Sequence, residues 1–184
     1  MLAAARELFA RRGFEHVSMD ELAAKAGITK PTVYAAFEDK TDLFFRALTL
    51  EVADWSRALL AEVDPKVSAT ELLAAHALRG MEQLRQRPLV RALLSGECPQ
   101  LEWASDRLSK LRAGLNDATV RILQIGVEQG VFRSDLELAT VADLLLDLQM
   151  SAALFHGLAA PARATALAQR FAVGFELVLN GLAR

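Results

Sequence analysis

Apolar positions recur at helical spacing along nearly the whole chain, beginning with Leu2, Ala5, Leu8 and Phe9, and Gly13 after Arg11 and Arg12 predicts the end of a first helix. Ser18 and Glu21 stand three apart, the spacing at which a hydroxyl and a carboxylate satisfy each other's backbone N–H groups at a helix start, with Val17 just outside able to pack on Leu22. Leu22, Ala23 and Ala26 share one face of that second helix, Gly27 supplies the left-handed residue that ends it, and Ile28 returns to the core. Thr29 is placed to cap a third helix. A small residue at Ala23, a turn glycine at Gly27 and a β-branched core residue at Val33 come in the order that a helix-turn-helix requires.

Beyond Phe37, Asp39 and Asp42 repeat the capping pattern with carboxylates, and a fourth helix is predicted from near Lys40 through Leu43, Phe44, Leu48, Val52, Trp55 and Leu59. At ~1.5 Å per residue its roughly 22 residues span about 33 Å, long enough to leave a small N-terminal domain. Asp64-Pro65 ends it; a fifth helix follows from Ser68 or Thr70, a short one covers Leu89 to Leu94, and a long one runs from about Leu101 to Gln129. Two more are predicted, about Leu136 to Leu158 and Pro161 to Leu182. No segment alternates with period two for the length of a strand, and no internal repeat is present. The fold class is therefore all-α, with a three-helix helix-turn-helix domain over 1–46 and a helical bundle over 47–184.

Composition changes this picture little: 53% of the 184 residues are hydrophobic, ample for a core, and the single cysteine, Cys98, permits no intrachain disulfide. Cysteine usage, the lack of a signal-peptide pattern and the lack of an apolar span point to a cytoplasmic protein without a membrane partner, and no Cys/His pattern suggests a metal or cofactor. Charge is more informative. The formal net charge is −2, and within 1–46 Arg6, Arg11, Arg12, Lys25, Lys30, Lys40 and Arg46 are matched one for one by Glu7, Glu15, Asp20, Glu21, Glu38, Asp39 and Asp42. Any contact with DNA must then come from where the cations stand rather than from an overall positive field. Thr29, Lys30 and Thr32 lie at the exposed start of the third helix, where side chains reach base edges, Tyr34 can donate to a phosphate, and Lys40 begins another helix.

On the run from Ala5 to Phe44, with Leu8-Phe9, Gly13, the segment VSMDELAAKAGITKPTVYAAFEDKTDLF and the spacing of Phe37, Lys40 and Leu43, the sequence resembles the TetR family of bacterial transcriptional regulators. The resemblance covers about the first quarter of the chain. It implies a homodimer that binds a pseudo-palindromic double-stranded DNA operator and releases it when a small molecule enters the C-terminal domain, and it assigns DNA contacts to Ser18, Thr29, Lys30, Thr32, Tyr34 and Lys40. The chain departs from the family at Pro31, which biases Lys30 away from helical geometry and is expected to delay the helix start by a residue, and at Ala35 and Ala36, which leave base reading to the N-terminal end. It also begins inside the family's first helix, without the basic arm that often precedes it, as a truncated or misassigned start would.

In the C-terminal part the resemblance places Trp55, His76, Arg79, Met81, Trp103, Met150, Phe155 and His156 around a ligand cavity, with His76 and Arg79 three apart as a source of polar contacts. No dense charged cluster is present, so an uncharged or weakly polar, hydrophobic effector is expected. A dimer seam is read from the last two helices: Val141, Leu145, Leu148 and Ala152 on one, Ala168, Phe171, Phe175 and Val178 on the other, with more apolar faces than a monomer needs to bury. The expected function is a repressor released by its ligand through the fourth helix, and not an enzyme. Two alternatives are a helical binding protein or enzyme with a vestigial helix-turn-helix, against which stands the lack of any catalytic constellation, and a helix-turn-helix used for protein contact, which would lack steep salt dependence.

Overall fold

The computed structural model describes residues 1–96, 98, 106–158 and 161–183, without the side chains of 153–158 and 161–171. Among the described residues the regular structure is helical: α1 (Leu2–Arg12), α2 (Met19–Ala26), α3 (Lys30–Ala36), α4 (Lys40–Leu60), α5 (Ala69–Leu84), α6 (Pro88–Leu94), α7 (Asp106–Glu128), α8 (Leu138–Leu158) and α9 (Pro161–Leu182). The predicted starts and stops agree with these to within a residue or two, except at α7, where 101–105 lie outside the described residues. The helices divide into two compact units, Met1–Asp54 with Arg85–Leu111, and Trp55–Leu84 with Arg112–Arg184.

The first unit is built around aromatic rings. Phe9 lies 5.2 Å from Phe44 and 6.0 Å from Phe14, Phe14 lies 5.4 Å from Phe44, and Ala5, Leu22, Val33, Leu43 and Leu48 are buried. Stacked pairs such as Phe9–Phe14 and edge-on pairs such as those with Phe44 add roughly 0.5–1.5 kcal/mol each to the area they bury. One residue breaks the apolar pattern. Glu51, on the core side of α4 between Leu48 and Val52, is fully buried. Its Oε1 accepts the backbone N–H groups of Leu89 and Val90 at 3.0 and 3.1 Å, and its Oε2 accepts Arg6 Nε at 3.2 Å. It thereby serves as the N-terminal cap of α6, whose N-cap residue, Arg87, supplies no side-chain capping bond.

The second unit packs α5, α7, α8 and α9 around Leu73, Ile122, Leu123, Ile125, Phe132, Leu145 and Phe175. Gln129, just past α7, ties down the entry to α5: its Oε1 accepts the N–H of Ala69 at 2.9 Å, and its Nε2 donates to the carbonyls of Val67 and Pro65 at 2.9 and 3.2 Å. Arg133 N–H donates to Leu182 O at 2.9 Å, which fixes the end of α9 to the turn after α7.

Candidate nucleic-acid interface

The reading head is assembled by local rules. Ser18 has extended backbone (φ −102°, ψ 157°); its Oγ accepts the Glu21 N–H at 3.2 Å while its own N–H donates to Glu21 Oε2 at 3.0 Å, so both arms of the expected capping box are present. The Ser18 N–H, with the Arg12 guanidinium beside it, holds the Glu21 carboxyl below the usual range. Gly27 ends α2 at φ 67°, ψ 31°, where a side chain would be strained, and Ile28 N–H donates back to Ala23 O at 3.1 Å. Val33, fully buried, anchors α3 to the core. The exposed face of α3 carries Lys30, Thr32, Tyr34, Ala35 and Ala36, with Tyr34 half exposed.

Two local expectations are corrected. Pro31 does not delay the helix, which begins at Lys30. Thr29 holds the N-cap position, but its hydroxyl caps no backbone group; it lies 2.8 Å from the Thr32 hydroxyl instead. The reason is the proline. Pro31 has no N–H to offer, and the Thr32 N–H already donates to Thr29 O at 3.0 Å, so the hydroxyl turns to its side-chain neighbour.

Part of the charge balance read from the sequence is realised as ion pairs within the domain. Lys25 Nζ meets Glu7 at 2.8 Å, Arg12 pairs with Glu21, and Lys30 Nζ lies 2.8 Å from Asp20 Oδ1 and 3.0 Å from Oδ2. The hydrogen bond and charge of Asp20 push the Lys30 ammonium above its ordinary pKa. Lys40 folds back on the domain, donating to Glu15 O at 3.4 Å with its Nζ 4.4 Å from the centre of the Phe14 ring. Thr29, Lys30, Thr32 and Tyr34 thus lie on or beside one short helix, Ser18 begins the helix before it, and Lys40 the helix after. In the sequence Asp20 counts only as one of the seven balancing acids; its position ten residues before Lys30, across a tight turn, is the signal for this pair.

In the second unit the predicted polar pair, His76 and Arg79, turns to two different partners. His76 is buried on α5, with Nε2 3.1 Å from Thr119 Oγ1 on α7, and burial pushes its pKa down against a smaller opposing pull from Glu62. Arg79 is exposed and pairs with Glu62 rather than joining His76. Trp55 is buried, and Met81 and Met150 are half-buried. Trp103, together with the side chains of Phe155, His156, Ala168 and Phe171, falls outside the described residues. Of the predicted seam, Leu145 and Phe175 face the chain's own core, at 1% and 7% exposure, because α8 and α9 need an inward face to close this unit. Val141, Leu148, Ala152 and Val178 are half-buried, and among the described side chains of these helices the large exposed apolar ones are Leu144, Val173 and Leu177. Among the described residues no group of three or more His, Cys, Asp or Glu side chains is arranged to hold a metal, and no helix is long and apolar enough to cross a membrane.

Residues 1–47 match the family described as bacterial regulatory proteins, tetR family. A transcriptional repressor, BepR of Brucella suis, is 23% identical over 160 residues, covering 79% of this chain and 73% of the relative. Among solved structures, a TetR-family regulator from Pectobacterium atrosepticum superposes with a TM-score of 0.75 at 24% identity, over 99% of this chain and 91% of that one. The Thermus thermophilus repressor FadR, solved in complex with lauroyl-CoA, gives 0.70 at 26% identity, over 100% and 94%.

Proposed function

From the premise that the chain belongs to the TetR family of bacterial transcriptional regulators, we propose that it is a repressor that binds a pseudo-palindromic operator as a homodimer and is released by a small hydrophobic effector. The observation that carries the DNA-binding part is the exposed face of α3, with Thr29, Lys30, Thr32 and Tyr34 presented by a helix pair whose cap, turn and core anchor are all in place. In a dimer, two such helices enter successive major grooves about one turn apart. Ser18 and Lys40 flank them at helix starts, where phosphates are favoured.

The repressor role draws on the name of the Brucella suis relative, and the effector class on the lauroyl-CoA held by the Thermus thermophilus protein. Trp55, His76, Met81 and Met150, all on helices of the second unit, are the proposed contacts, Trp55 being on the part of α4 that belongs to it. Effector binding would act through α4, which begins at Lys40 and reaches Trp55; a coupling of about 1–3 kcal/mol gives a several-fold to hundredfold change in operator affinity.

The test is selection of bound duplexes from a random pool, followed by binding assays of the enriched sequence with the wild type and with Thr32→Ala, and a screen of acyl thioesters for release. Enrichment of an inverted repeat, with weaker and less selective binding by the variant, is the expected result. A pool that stays random overturns the DNA-binding reading.

A further inference from the structure

We propose that Asp20 is a positioning residue for base recognition: it holds the Lys30 ammonium so that its remaining N–H is offered to an acceptor in the major groove, a guanine O6 or N7, and not to the phosphates of arbitrary DNA. The inference rests on the reading of α3 as the DNA-reading helix.

The geometry is specific. The Lys30 ammonium bridges both oxygens of Asp20, at 2.8 and 3.0 Å, and an ammonium has three N–H donors, so one is left uncommitted by this pair. The two residues come from different helices, Asp20 from the first turn of α2 and Lys30 from the start of α3. Both side chains are more than half exposed, at 65% and 53%, so the pair is not part of the core and contributes little to stability. Its effect is on the lysine itself: a long, flexible side chain that would otherwise sweep a wide arc is biased toward one position.

That bias bears on specificity. An unconfined lysine finds a phosphate on every sequence, and each phosphate neutralised releases a condensed cation, the term that supplies non-specific affinity. A lysine whose charge is already balanced by the protein's own carboxylate gains less from a phosphate, and Asp20 repels the backbone that would approach it. Its remaining N–H still rewards an acceptor in the groove, which only some base pairs present. The Thr29–Thr32 hydroxyl pair confines the neighbouring polar groups of the same turn in the same way.

The test compares wild type, Asp20→Asn, Asp20→Glu, Lys30→Ala and the double variant Asp20→Asn/Lys30→Ala on two probes, the duplex enriched from the random pool and a mixed-sequence duplex of equal length, across a series of salt concentrations. Asp20→Asn is expected to bind the mixed duplex more tightly, with a salt slope steeper by about 0.9, as one more phosphate is neutralised. The ratio of the two affinities should fall by about fivefold or more, the scale of one base contact, and repeated selection should lose a guanine preference at a single position of each half-site. Asp20→Glu should restore most of the preference, and in the Lys30→Ala background the Asp20 substitution should move neither slope nor ratio. The proposal is overturned if Asp20→Asn keeps the wild-type base preference and ratio, or if its effect is as large without Lys30. A wild type that enriches no sequence at all instead defeats the reading of α3 on which the proposal stands.

Discussion

At the scale of single residues, the buried Glu51 and the buried His76 make opposite demands on their surroundings. Glu51 is fully buried and satisfied on both oxygens, by Arg6 and by the first N–H groups of α6. Removing one member of such a buried set leaves the others uncompensated, at a cost of about 3–5 kcal/mol. Glu51→Ala should therefore lower the unfolding free energy by about that amount in urea titration, and Glu51→Gln by less, since the amide oxygen still accepts from Leu89 and Val90. His76 behaves in the opposite sense. Burial favours its neutral form, so its folded pKa lies below the ordinary 6.5, and as the pH falls the unfolded chain takes up the proton first. Stability should decline as pH drops below 6.5, towards the lowered folded value, with a slope from this group of at most about 1.4 kcal/mol per pH unit. His76→Asn should flatten that part of the pH–stability curve, which chemical denaturation at pH 5 to 7 would measure.

At the scale of elements, α7 and the turn that follows it are fitted to each other with no space for a methyl group. A Cβ at Gly126 would stand 1.9 Å from Cδ2 of the buried Phe132 ring, and the Gly126 carbonyl accepts the N–H groups of both Val131 and Phe132 at 3.0 Å. Because Phe132 packs among Ile122, Ile125 and Leu182, the ring has nowhere to retreat. Gly126→Ala should cost about 1–3 kcal/mol or more through overpacking, seen as a lower midpoint of thermal unfolding. The α2–α3 pair is held differently: eight and seven residues long, these helices are too short to be stable alone, and the Ser18–Glu21 cap of α2 and the buried Leu22 and Val33 hold them in place.

For the whole molecule, the apolar side chains left exposed on α8 and α9 decide the next measurement. Leu144, Val173 and Leu177 are 50%, 57% and 67% exposed, while Leu145 and Phe175 are turned inward. If the proposed dimer forms through these helices, Leu177→Glu and Val173→Glu should shift the chain to monomer in sedimentation equilibrium without unfolding it. Operator affinity should fall with them, since each half-site would be bound alone. Leu145→Glu should instead unfold the second unit, because it places a charge in that unit's core. Unchanged dimerisation of the exposed-face variants would place the partner surface elsewhere.

The order of the described helices and most of their ends were legible in the sequence, because they follow from short-range rules: a cap at Ser18, a left-handed glycine at Gly27, prolines at the breaks, and apolar residues three and four apart. The sequence also determined the face of α3, since Val33 had to be the buried residue and its neighbours on the other side had to be exposed. What it left open were partnerships between distant residues. That Glu51 caps α6, that Arg79 turns to Glu62 while His76 turns to Thr119, and that Leu145 faces inward while Leu144 faces outward depend on which helices become neighbours. A helix that is apolar on most sides, as α8 is, carries no periodic signal to say which side the chain keeps for itself; only packing against α5 and α9 makes that choice.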